Sequence, residues 1–187
     1  RETIRFYLNW VKKEADGLYH IYPTNAKETW WRVKDHIGDL AAMRRMFPIF
    51  IETSRRLGVD QDVASRCEEV LKALAPYPFW PGKGYWAPCT PLQNPPDTGN
   101  AVIERLYPPQ NTSHILVYDW KEGNKNAENI ACELIFPWEL VGTGSDAKDL
   151  DTARKSYEAR NWKPPFYGWD QSAVWAARLG SAQDAVS

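Results

Sequence analysis

The sequence is poor in the residues that build disulfide frameworks and metal centres. Of its 187 residues only Cys67, Cys89 and Cys132 are cysteines, an odd number with no C-x-x-C pair. At most one disulfide can form, and neither a disulfide framework nor a structural zinc site is expected. The three histidines, at positions 20, 36 and 114, show no ligand spacing, so none is read as a metal ligand and no cofactor is expected. Charge of one sign is lacking too. There are 23 Lys and Arg against 24 Asp and Glu, a formal net charge of -1. A nucleic-acid module held by counterion release needs a basic excess or stripe, so no nucleic-acid partner is expected. No apolar run approaches the roughly 18 residues of a membrane helix, so no membrane partner is expected either. Phosphate-cradling glycine loops, nucleophile elbows and short internal repeats are also missing.

Aromatic residues are what the chain has in plenty: 10 Trp, 9 Tyr and 6 Phe. With 43% hydrophobic and 25% charged residues, the composition is that of a globular protein, long enough for one domain with a sizeable core. The first residues read as the inside of a helix, with Ile4, Tyr7, Leu8 and Val11 at helical spacing and no cap before them. Ser181–Asp184 reads as the cap and first turn of another helix. The expectation is a piece of a longer protein, residues 1–187 forming a single incomplete domain.

Periodicity predicts a helix over 1–14, ended by Asp16-Gly17, then a short extended run at Leu18–Tyr22 and a loop over Asn25–Asp35. A helix over Ile37–Leu57 carries Leu40, Met43, Phe47, Phe50 and Ile51 at helical spacing, with a kink or break expected at Pro48. Gly58 ends it, and Asp60 is expected to cap a second helix over Asp60–Ala75 that bears Val63, Cys67, Val70, Leu71 and Leu74. The two should pack as an antiparallel αα-hairpin with Leu40, Met43, Phe47, Val63, Cys67 and Leu71 buried. Residues 76–120 form a Pro-rich insert, with extended pieces at Lys83–Ala87, Ala101–Leu106 and His114–Tyr118 as a long loop or small sheet. Helical spacing returns over Ile130–Leu140, after Asp146, and over Trp169–Leu179, which Gly180 closes. The expected class is mainly α: pairs of helices alternating with long loops, as in a helical toroid.

Three segments carry chemistry. In Tyr22–Trp31 a carboxylate, Glu28, is flanked by Asn25 and by Trp30 and Trp31. Indole faces pack on the C–H face of a pyranose, amides bond its hydroxyls, and apolar walls raise a carboxyl pKa toward that of a general acid. The plainer reading pairs Glu28 with Lys27 or Arg32 beside two core indoles. In Asn124–Trp138, Glu128 and Asn129 precede an apolar run and suit a polar ligand, or equally a helix N-terminus capped by Asn126 with Glu128 and Glu133 near its positive end. In Tyr167–Gln171, Trp169 and Asp170 offer a platform and a carboxylate, or Asp170 simply sits in a helix's first turn. His36, next to Asp35, is a candidate lining residue.

Taken together, "YPTNAKETWWRVKDHIGDLAAMRRMFP…LGVD", "NAENIACELIFPWELVG" and "LDTARKSYEAR…GWDQSAVWAARLG" resemble the C-terminal part of the catalytic domain of bacterial six-hairpin glycosidases, the group related to glycoside hydrolase family 95. The resemblance implies an (α/α)6 toroid. It implies an extracellular or periplasmic, fucosidase-like inverting enzyme acting on oligosaccharides or polysaccharides of plant or host glycans, with Glu28 in the place of the general acid. The loop Thr24-Asn25-Ala26-Lys27-Glu28 departs from the Ser-Pro-Glu-Asn form of the fucosidases. The group's catalytic Asp lies downstream of "WAARLG", so the general base is expected outside these residues, in the remainder of the same domain, which is then the partner. A non-catalytic carbohydrate-binding or scaffolding helical domain, and a polysaccharide lyase on a similar toroid, are the alternatives.

Overall fold

The computed structural model describes residues 1–26, 30–80, 82–90, 129–160 and 171–186, and of residues 30–32 the backbone. The described residues are mainly helical. Helix α1 spans Glu2–Trp10, α2 Ile37–Leu57, α3 Gln61–Lys72, α4 Ala147–Glu158, α5 Ser172–Arg178 and α6 Ala182–Val186, with a 3-10 turn at Ile130–Cys132. Strands β1 (Val11–Lys13) and β2 (Tyr19–Ile21) form one antiparallel ribbon, and β3 (Thr24–Ala26) and β4 (Trp30–Val33) another.

The helix expected over 1–14 is shorter. The Val11 N–H still bonds the Tyr7 carbonyl, but Val11 itself is extended (φ -70°, ψ 141°). Val11 fits both a helical and an alternating pattern. Pairing with Ile21 across β1–β2 buries it to 5% exposure, and Gly17 at φ 84° allows the reversal. The loop expected over Asn25–Asp35 contains the second ribbon, with Thr24 opposite Val33 and Ala26 opposite Trp30. Ala26 and Val33 are both buried, so the ribbon is held by its apolar members rather than by its polar ones.

Helix α2 runs unbroken through Pro48, so of the kink or break expected there the break does not occur. Proline removes one helical N–H, while Phe47 and Ile51 on either side stay buried and hold the segment in place. Gly58 closes α2 in the left-handed conformation (φ 67°). Asp60 precedes α3 as expected, yet its side chain caps nothing: it lies at φ 52° and its carboxylate pairs with Arg1. Cross-links between α2 and the α3 segment run in opposite sequence order, Arg44 to the Ala75 carbonyl (2.6 Å) and Arg55 to Glu68 (2.5 Å). The pair is therefore antiparallel. Leu40, Met43, Phe47, Val63 and Cys67 are buried as expected, whereas Leu71 is only partly so.

α2 divides the molecule between two cores. Its Leu40, Met43, Phe47 and Ile51 join Ile4, Tyr19, Ile21, Cys67 and Val70 in one. Its Ile37 and Ala41 join Val33, Trp86, Cys132, Leu134, Tyr157 and Trp175 in the other. Each fully buried Leu, Met or Phe contributes about 1.5–3 kcal/mol. The helical spacing over Ile130–Leu140 is used differently from expectation. After the 3-10 turn the chain folds back, and the N–H groups of Leu140 and Val141 both bond the Leu134 carbonyl (2.9 and 3.1 Å). Leu134 and Ile135 are fully buried by this turn, and Pro137 cannot extend a helix through it. Asp146 caps α4 by accepting from the Asp149 N–H (2.9 Å). Gly180 at φ 78° separates α5 from α6, matching the helix signals read there. All three cysteines are free and buried. Residues 101–106 and 114–118 lie outside the described residues; of Lys83–Ala87, Trp86 makes an isolated bridge with Phe79.

Candidate functional site

The β3–β4 ribbon is anchored at its base. The Trp10 indole N–H donates to the Pro23 carbonyl (2.8 Å), and the Thr24 hydroxyl donates to Asp39 in the first turn of α2. Asn25, on β3, is exposed. Trp30 and Trp31 open β4. Glu28, in the connection between the strands, lies outside the described residues, as do Glu128, Trp169 and Asp170. His36 immediately precedes α2 and is 6% exposed. Asn129 precedes the 3-10 turn and is half-buried.

The segments around residues 22–39 and 129–133, some hundred positions apart, meet at the start of α2. Gly38 makes this approach fit: a Cβ there would stand 2.0 Å from the Glu133 Oε2 and 2.7 Å from the His36 Cε1. Asp39 accepts hydrogen bonds from the Tyr7 hydroxyl (3.2 Å) and the Thr24 hydroxyl, and faces the His36 Nδ1 (3.2 Å). Burial alone would raise the Asp39 pKa, but His36, Thr24 and Tyr7 outweigh it and hold the carboxyl below its ordinary value. The Tyr7 hydroxyl is pushed the other way, by burial and by the charges of Asp39 and Glu133. The His36 Nε2 is buried and has no hydrogen-bond partner among the described residues. The start of α2 thus forms a floor that brings an imidazole and two carboxylates together at the positive end of a 21-residue helix.

Asp35, one residue before His36, shares no hydrogen-bonding partner with Asp39. It sits at φ 52°, a left-handed turn that Asp tolerates. Its Oδ2 bonds the His20 Nδ1 (2.7 Å) and accepts from the Thr90 hydroxyl (3.2 Å), and its Oδ1 accepts from the Ile21 N–H (3.1 Å). The His20 Nε2 continues the line to Asp16 (2.9 Å). Burial works to lower the His20 pKa, but hydrogen bonds to Asp35 and Asp16 overcome it and the net shift is upward. For Asp35 burial dominates, and its pKa is raised despite His20.

Sequence reasoning selected His36 but missed Asp39, Tyr7, Asp35 and His20, and it treated Glu133 only as a helix-end charge. A carboxylate inside the apolar run Ile130–Ile135 was the one available signal; the other partners are joined only by tertiary folding. Among the described residues no group of three or more His, Cys, Asp or Glu could hold a metal ion, and no helix is long and apolar enough to cross a membrane. No protein-family model matches the chain, and no curated protein matches it.

Proposed function

We propose that this chain is part of an (α/α)6 toroid in a secreted or periplasmic inverting glycoside hydrolase, with Glu28 as general acid and Asn25, Trp30 and Trp31 as sugar-binding neighbours. The observation that carries the reading is the convergence of two of the motif segments on the start of α2, with Glu133 lying over Gly38 beside His36. Asn25, Trp30 and Trp31 belong to a single short ribbon, and Thr24 of that ribbon bonds Asp39 in the first turn of α2. The α2–α3 hairpin is the kind of unit a helical toroid repeats.

In this reading Glu28 donates its proton to the glycosidic oxygen as the bond to the anomeric carbon breaks. A carboxylate about 6.5–9.5 Å away, supplied by the remainder of the domain, draws a proton from water attacking the opposite face. The test uses the full-length protein on aryl glycosides and unactivated oligosaccharides. Glu28→Gln should lower kcat by about 10²–10⁴-fold on poor leaving groups, and less on activated ones. The product anomer, read by NMR in the first minutes, should be inverted. Unchanged turnover in Glu28→Gln removes Glu28 from the mechanism. Saccharide binding by the wild type with no hydrolysis would replace the enzyme by a binding domain.

A further inference from the structure

A cleft lies on the Asp35 side of the molecule. There the described residues line an open volume of about 840 Å³, within the range of small-ligand pockets, about 300–1,000 Å³. One wall is aromatic: Tyr77, Phe79 and Trp86, the last two joined by a backbone bridge. Tyr77 and Trp86 meet edge to face at 6.4 Å. Phe79 is 47% exposed, although its neighbours in the segment pack inward. An aromatic face left in solvent on the lining of a cleft offers a stacking surface.

The polar wall is nearly balanced in charge, and most of that charge is already engaged. His20 lies between Asp16 and Asp35. Lys34 pairs with Glu14 at 2.5 Å. Arg44 donates to the Leu74 and Ala75 carbonyls (3.3 and 2.6 Å) and lies 4.4 Å over the Tyr77 ring. Lys148 and Asp149, of opposite sign, sit side by side on the first turn of α4 and also line the cleft. No sign of charge prevails among the lining residues. An anionic ligand would find no free cluster of cations, and a cationic one would find no free cluster of carboxylates. A ligand with one apolar face and many neutral hydroxyls satisfies both walls.

We propose that this cleft binds a neutral saccharide, one sugar ring stacking on Phe79 and its hydroxyls bonding the two exposed carboxylates on its lining, Asp16 and Asp149. The proposal does not depend on the role of Glu28. The test is calorimetric titration of the full-length protein, wild type and Glu28→Gln, with xylotriose, cellotriose and maltotriose, and with trigalacturonate as the charged counterpart. At least one neutral trisaccharide should bind saturably. Phe79→Ala and Asp149→Asn, both at exposed positions, should each weaken that binding about tenfold while Tm stays within a few degrees. Glu28→Gln should leave the Phe79-sensitive binding in place whether or not it abolishes hydrolysis, which separates this proposal from the preceding one. The proposal is overturned if no neutral trisaccharide binds at about 10 mM, if affinity in Phe79→Ala and Asp149→Asn is the same as in the wild type, or if trigalacturonate takes the Phe79-sensitive site more tightly.

Discussion

Asp35 and Asp39 stand four residues apart where the chain enters α2, share no hydrogen-bonding partner, and have carboxylates tuned in opposite directions. Each has three hydrogen-bonding neighbours, so the number of partners does not separate them. Burial does not separate them either: desolvation is the largest single influence on both carboxyls and pushes each upward. At Asp35 desolvation wins and the pKa rises; at Asp39 the partners win and it falls. Asp39 has a further advantage in the first turn of α2, where the helix favours a negative charge. Position along a helix start can therefore matter as much as the list of partners.

The strongest way to break the comparison is Asp35→Ala. It leaves His20, the Ile21 N–H and the Thr90 hydroxyl without their buried acceptor, and should cost about 3–5 kcal/mol in urea unfolding. Asp35→Asn keeps the shape and tolerates the left-handed backbone, so it isolates the charge; the His20 pKa, followed by NMR titration, should drop. Gly38→Ala comes next. In an open helix it would gain about 1 kcal/mol. Here Glu133 and His36 must give way in a buried space, and the variant should lose about 1–3 kcal/mol. If Glu133 is the obstacle, the effects of Gly38→Ala and Glu133→Ala should not add.

The smallest effect sharpens the contrast through pH. The folded pKa values of His20 and Asp35 are raised, so their contribution is present at low pH and is lost as pH rises, for His20 above its unfolded value of about 6.5. The folded pKa of Asp39 is lowered, so its contribution is present above about 3.9 and is lost as pH falls through the folded value. Asp39→Asn should cost about 1 kcal/mol at pH 7, and the penalty should shrink in acid. A penalty that instead grew on acidification would reverse the assignment.

Helices α2, α3 and α4 were legible because their apolar residues repeat at the spacing of one helical face, with Gly58 and Asp146 marking ends. The ribbons were not, because pairing is a relation between segments: nothing local to Val11 announces Ile21, and nothing local to Ala26 announces Trp30. Over Ile130–Leu140 the apolar spacing was real but served two sides of a turn. The candidate site divides in the same way. His36 was legible beside Asp35, whereas the line Asp16–His20–Asp35–Thr90 joins residues up to 74 positions apart, which only the fold brings together.

The three thiols are distributed in a way that bears on how the molecule opens. Cys67 belongs to the core under α3, while Cys89 and Cys132 belong to the core on the other side of α2. Burial pushes the Cys67 thiol up to about 11 and that of Cys89 higher still, so neither offers a thiolate at neutral pH. An alkylating reagent therefore waits for the surrounding structure to part, and each cysteine acts as a clock for its own half. Equal labelling rates at all three would mean that α2 yields both cores in one event; unequal rates would mean that one half breathes while the other stays shut.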